Sequence, residues 1–187
     1  GLPMGIFQMF DLAGLDIGWA NRKRQAATRD PKERYVHILD LLCEKGRYGQ
    51  KTGRGFYIYQ EGVRRGEEDP EVLALIDEER KRKEITPRPF SEEEIMSRYI
   101  AAMVNESCNV LHEGMASRPS DIDITLLYGY GFPRYRGGPM KYADQVGLPK
   151  ILDDIKKYYE EDSFFWKPSP LLVDLVEKGQ NFESLNK

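Results

Sequence analysis

Residues 43–59, CEKGRYGQKTGRGFYIY, contain the parts of a phosphate-binding loop: four glycines, two lysines and a threonine directly after one of them. Such a loop follows a strand, reads G-x-x-x-x-G-K-[ST] and opens a helix, so that backbone N–H groups converge on the phosphates. Here, counted from Gly46, the second glycine is due where Lys51 stands, and Gln50 precedes Lys51-Thr52. The order is reversed as well, with an apolar-periodic segment before the glycines and GFYIY after them. That pattern predicts a helix stop, a turn and a strand. Other reactive side chains are sparse. His37 and His112 are the only histidines, with no triad partners in view, and read as structural or surface residues. Cys43 and Cys108 fit no metal spacing and suit reduced, unreactive thiols. In PRYRGGP, Arg134 and Arg136 flank Tyr135, which suits either an anion contact or a solvated glycine turn.

The elements that must carry these residues are mostly helical. The chain has 187 residues, 40% hydrophobic and 32% charged, with a net charge of -3, a composition for one core or two small ones. Basic and acidic residues are interleaved, so nucleic acid is not an expected partner. No apolar run nears the roughly 18 residues that span a bilayer. Asp30-Pro31 predicts a helix start, carried by Tyr35, Ile38, Leu39, Leu42 and Cys43 to a stop at Gly46. Asp69-Pro70 predicts a second helix through Val72, Leu75 and Ile76, with EERKRKE as its solvated tail. Ser91 and Glu94 form a capping box for the longest one, with Ile95, Ile100, Met103, Val104, Cys108 and Leu111 along its apolar face. Further helices are predicted over 120–128, 149–160 and 170–178, and a small hairpin from GFYIY with EGVRR.

An internal repeat reorganises this picture. Gly1 and Pro3 recur as Gly131 and Pro133, 130 positions on; after a three-residue insertion, Gly5, Asp11, Gly14 and Leu15 recur as Gly138, Asp144, Gly147 and Leu148, 133 positions on. The segment EKG at 44–46 returns at 177–179 with that same offset. Two copies of one helical unit are therefore expected, at 1–60 and 91–187, joined by a linker and helix at 61–90. The second copy has a long helix and SDIDITLLYGYG ahead of its G-F-P element, whereas the first begins at Gly1. The chain is thus expected to be a piece of a longer protein that covers the first copy's apolar face. Because both copies keep the aspartate, Asp11 and Asp144 suit a backbone hydrogen bond better than acid–base work.

GLPMGIFQMFDLAGLDIGW, CEKGRYGQKTGRGFYIY and RYIAAMVNESCNVLHEGMASRPSDIDITLLYGYGFPRYRGGPMKYADQVGL resemble, in that order, the C-terminal part of 3-hydroxyacyl-CoA dehydrogenases, specifically those of the multifunctional fatty-acid β-oxidation enzymes. The resemblance implies a mainly α fold: a tandem pair of related helical domains, 6-phosphogluconate dehydrogenase C-terminal-like, with a small β-hairpin. It implies oxidation of a 3-hydroxyacyl-CoA to the 3-ketoacyl-CoA, with NAD held by a Rossmann domain upstream and an enoyl-CoA hydratase domain before that. It further implies a glutamate-held histidine that takes the hydroxyl proton and an asparagine that polarises the oxygen. No catalytic, cofactor-binding or metal residue is expected in these 187 positions. In the second copy Ser97, before Arg98, takes the asparagine's place, and that copy reads as catalytically degenerate. Met4, Gly5 and Phe7, in the P-M-G-x-F turn, are the expected contacts to the acyl or pantetheine end of the substrate, although Ile6 stands where the family most often has proline.

Two functions of different class follow. One is the substrate-side and interdomain-packing part of the dehydrogenase, with an acyl-CoA substrate and a homo-oligomer among its expected associations. The other is a non-catalytic helical interaction or dimerisation module that kept the fold. ESLNK is not a peroxisomal tripeptide, which favours a bacterial cytoplasm, with the peroxisome as the alternative.

Overall fold

The computed structural model describes residues 4–63 and 65–186. They form two compact units, Met4–Pro89 and the segment from Phe90 onward.

In the first unit, α1 (Ile6–Ala13) and α2 (Leu15–Gln25) meet at Gly14, and α3 (Ile38–Glu44) leads into the glycine loop. The strands β1 (Tyr57–Ile58) and β2 (Glu67–Glu68) then pair antiparallel, Tyr57 opposite Glu68, before α4 (Pro70–Arg82). Leu15, Leu42, Cys43, Val72 and Leu75 form the buried core, so α4 belongs to this core rather than to a free linker. Asp69 caps α4 by accepting the Glu71 amide at 2.9 Å, with Pro70 in the first turn where its missing N–H costs nothing.

In the second unit, α5 (Glu92–His112) is the central helix, packed on by α7 (Pro139–Val146), α8 (Leu148–Tyr159) and α9 (Pro170–Glu177), with α6 (Pro119–Gly129) against α7. Ser91 Oγ accepts the Glu94 amide at 3.1 Å as the cap requires. The buried stripe of α5 is Ile100, Ala101, Val104 and Cys108, and Leu152, Ile155, Leu172 and Leu175 close over it.

The two units share a set of matching elements. Helices α1 and α7 each have 8 residues. Gly14 (φ 100°, ψ 118°) and Gly147 (φ 97°, ψ 121°) adopt the same left-handed backbone, which lets the following helix begin without a connecting residue. The amides of Gly14 and Gly147 close the preceding helices onto Phe10 O and Ala143 O at 2.9 and 2.8 Å. Glu44 and Glu177 end α3 and α9, and Gly46 and Gly179 follow with φ 72° and 62°.

Four expectations are corrected. The helix predicted from Asp30 starts only at Ile38. Asp30 instead accepts the Lys32 amide in a local turn, and Tyr35 lies under the guanidinium groups of Arg22 and Arg29, its hydroxyl on Asp40. The second strand is Glu67–Glu68, with 61–63 inside the connection. Ile95 is 53% exposed, because the buried stripe of α5 is set by the residues facing α8 and α9. In the charged tail of α4, Glu79 is buried; it accepts the His37 amide at 3.1 Å and holds Arg82. The thiols of Cys43 and Cys108 are 1% and 0% exposed, and burial pushes them up to about 11 and about 12.

Candidate functional site

The glycine loop is built around a carboxylate that belongs to the protein. Asp11, at the end of α1 and 1% exposed, accepts the amides of Phe56 and Tyr57 at 2.9 and 3.0 Å and the Tyr59 hydroxyl at 2.9 Å. Burial and this bond to Asp11 push the Tyr59 hydroxyl well above its ordinary value. A Cβ on Gly55 would lie 2.0 Å from Asp11 Oδ1, and one on Gly49 2.2 Å from Asp11 O. The glycines therefore admit Asp11, not a phosphate. Thr52 accepts the Tyr48 amide at 2.9 Å and donates to Arg54 O at 3.0 Å, while Lys51 reaches Asp16 at 2.5 Å. The lysine and threonine that suggested a nucleotide are thus used within the fold.

A second polar group locks the loop to α4. Arg47, buried, donates to Gly55 O at 2.7 Å, to Asp69 at 2.6 Å and to Glu71 at 2.9 Å. Burial opposes ionisation of Asp69, but the Glu71 amide and the Arg47 and Arg54 guanidiniums outweigh it and hold its carboxyl below the usual range. Sequence reasoning found Asp69 as a cap and missed Arg47; an arginine inside a glycine turn, with an acid-rich helix start downstream, was the available signal.

Of the expected substrate contacts, Met4 is half-buried ahead of α1, Gly5 is exposed at its N-cap, and Phe7 lies on its face. The Phe7 ring packs on Phe56, centroids 4.7 Å apart, and forms part of an apolar groove of about 510 Å³ with Phe10, Val36, Leu39 and Val72. The repeat gives this groove a reference. Phe7 and Phe10 are 48% and 39% exposed, whereas Met140 and Ala143, their counterparts on α7, are both 0% exposed beneath α5 and α6.

In the second unit Asp144 fills the same socket as Asp11, accepting the amides of Phe182 and Glu183 at 2.9 and 3.0 Å. Ser97 accepts from the Tyr158 hydroxyl at 2.8 Å and donates to Asp154 at 2.9 Å, to which Lys150 also donates at 2.9 Å. A serine so engaged has no free base beside it. His37 has Glu79 at 3.5 Å, a pairing that could suggest a general base, but Arg82 lies against both side chains at 2.5 and 2.6 Å. The pair thereby ties the start of α3 to α4. His112 borders a surface hollow with Phe164 and Phe165. Among the described residues no three His, Cys, Asp or Glu side chains are grouped to hold a metal, and no helix is long and apolar enough to cross a membrane. Nor do these residues fit NAD: their only sheet is the two-stranded hairpin, and the glycine loop is closed around Asp11 rather than opening a helix.

A helical unit present twice, each copy binding two consecutive amides through an aspartate at the end of its first repeated helix, defines the class: a duplicated helical domain. The profile of the 3-hydroxyacyl-CoA dehydrogenase C-terminal domain matches residues 1–59 and again 95–184, once on each unit. The chain belongs to the 3-hydroxyacyl-CoA dehydrogenase C-terminal domain family. It is 43% identical over 193 residues to a peroxisomal bifunctional enzyme of Danio rerio, covering 96% of this chain and 27% of that protein. It is also 39% identical over 183 residues to a peroxisomal fatty acid beta-oxidation multifunctional protein of Arabidopsis thaliana, covering 96% of this chain and 25% of the relative. The dehydrogenase part of multifunctional enzyme 1 from C. elegans superposes with a TM-score of 0.69 at 25% identity, over 92% of this chain and 38% of that one. The chain therefore spans about a quarter of the curated relatives' length.

Proposed function

We propose that the chain is the substrate-side and interdomain-packing part of an NAD-dependent 3-hydroxyacyl-CoA dehydrogenase of fatty-acid β-oxidation, within a multifunctional enzyme that also hydrates enoyl-CoA. The observation that carries this reading is the exposure of Phe7 and Phe10 on α1. Their counterparts on α7 are fully buried under α5 and α6, so the groove at Phe7 has the shape of a place for an α5-like helix with an apolar stripe. In this reading the reacting histidine, its glutamate, the asparagine and the NAD site lie elsewhere in the polypeptide. The 187 residues supply a wall and a rigid mount.

Met4 and Gly5 start α1 and are proposed to meet the acyl or pantetheine end of the substrate, with Phe7 fixing the helix start against Phe56. The Asp11 socket holds that helix to the glycine loop, so the wall does not give when substrate seats. The relatives' names support a peroxisomal location over the bacterial cytoplasm. The test is NAD-dependent oxidation of 3-hydroxybutyryl-CoA. We expect turnover by the whole protein and none by residues 1–187 alone. Met4→Ala and Phe7→Ala in the whole protein should raise KM severalfold with a smaller change in kcat. Turnover by the 187-residue chain, or an unchanged KM in both variants, would show that the active site has been misplaced.

A further inference from the structure

The three-residue insertion that distinguishes the second copy forms a tight 3-10 turn at Arg134–Arg136. It places two guanidiniums in a setting unlike the others of this unit. Arg98 is paired with Glu94 and Glu161, and Arg118 with Asp121. Arg134 and Arg136 have no carboxylate within ion-pair distance among the described residues; they lie on tyrosine rings instead, Arg134 over Tyr128 at 5.3 Å and Arg136 over Tyr142 at 4.4 Å. Arg136 donates from Nε to the Tyr135 hydroxyl at 3.1 Å and is also hydrogen-bonded to Tyr142, so its partners are neutral tyrosines. No carboxylate occupies the guanidinium fork that takes a carboxylate in two parallel bonds.

That fork stands at the end of an apolar slot. A cavity of about 230 Å³ runs between α5 and the 132–136 loop, lined by Met96, Tyr99, Met103, Leu126 and Phe132, with Arg136 its one charged residue. On the other side of Arg136 a hollow of about 260 Å³ contains Glu93 and the Lys150–Asp154 ion pair, 2.9 Å apart. The acids near Arg136 therefore lie on that side, and the apolar slot has none. Methionine side chains at two points of the slot suit an adaptable alkyl chain rather than a single rigid shape.

We propose that the second unit binds an amphiphilic carboxylate, a chain of aliphatic carbons with one terminal carboxylate, with the carboxylate on Arg136 and the tail along α5. The site owes nothing to the reaction assigned above. It arises from the insertion that the first copy lacks.

The probe is dodecanoate, titrated calorimetrically into the whole protein, with dodecanol, acetate and inorganic phosphate as companions, and with Arg136→Met and Met103→Asp as variants. The prediction is one dodecanoate site that Arg136→Met weakens about tenfold or more, that Met103→Asp also weakens, and that is absent for acetate and phosphate, which have no tail. Dehydrogenase turnover by Arg136→Met should equal that of the unaltered protein, which separates this site from the proposed active site. Equal dodecanoate binding by Arg136→Met, equal affinity for dodecanol, or no binding at all, as when a segment of the protein or a partner already fills the slot, would overturn the proposal.

Discussion

Replacing Asp11 tests the reading of the glycine loop most directly. In Asp11→Ala the Phe56 and Tyr57 amides lose their acceptor in a site that is closed to water, while the Tyr59 hydroxyl can turn toward solvent. An orphaned buried donor costs about 1–3 kcal/mol, so two of them amount to about 2–6 kcal/mol. That is a large part of the ~5–15 kcal/mol that holds a domain together. Asp11→Asn is the sharper variant, since it keeps the shape and one acceptor oxygen but aims an N–H at the second amide; about 2 kcal/mol is expected. Asp144→Ala should cost less than Asp11→Ala, about 1–2 kcal/mol, because the Glu183 amide it frees is solvent-exposed. The assay is amide hydrogen exchange at Phe56 and Tyr57, where a loss of 2 kcal/mol removes roughly thirtyfold of protection. If Asp11→Asn keeps the protection of both amides, the loop is not organised by this carboxylate and a ligand role for the glycines returns.

Two further outcomes follow from the charged groups. Arg47→Ala leaves Asp69 buried with only Arg54 beside it, and should lower the first unit's stability by about 3 kcal/mol in urea titration, with Arg47→Lys recovering part of the loss because it keeps the charge and loses the fork. Acid should act unequally on the two units. The folded-state values of Asp69 and Glu79 are depressed, so their contribution is present above the ordinary carboxylate range and is lost as pH falls through it. Burial raises Asp123 in the second unit, which gives the opposite slope. Single-tryptophan variants retaining Trp19 or Trp166 should report the first unit opening at the higher pH; coincident transitions would contradict the assignment.

The duplication was legible because Gly46 and Gly179, and the Asp11 and Asp144 elements, keep one spacing and need backbone or contacts that few other residues allow. The carboxylate socket was only half legible. Its amides come from Phe56–Tyr57 in one unit and Phe182–Glu183 in the other, so the common offset is lost in the loop between them. Helices α1 and α2 were hidden because their apolar residues do not form one buried stripe: Ile6, Phe7, Met9 and Leu12 all face outward in this chain. The false helix start at Asp30 came from local capping chemistry that tertiary contacts to Tyr35 override. Arg47 carried a signal in its glycine turn, but its bonds to Asp69, Glu71 and Gly55 depend on segments that only the fold brings to it.

The two cysteines give each unit its own clock. With Cys43 and Cys108 sealed in separate cores and their thiols far from ionised at neutral pH, an alkylating reagent modifies either one only after its unit has opened. Mass spectrometry of the two peptides, sampled over time, then reads two opening rates from one tube without introducing a label. The order in which a duplicated domain comes apart becomes measurable in the unaltered chain.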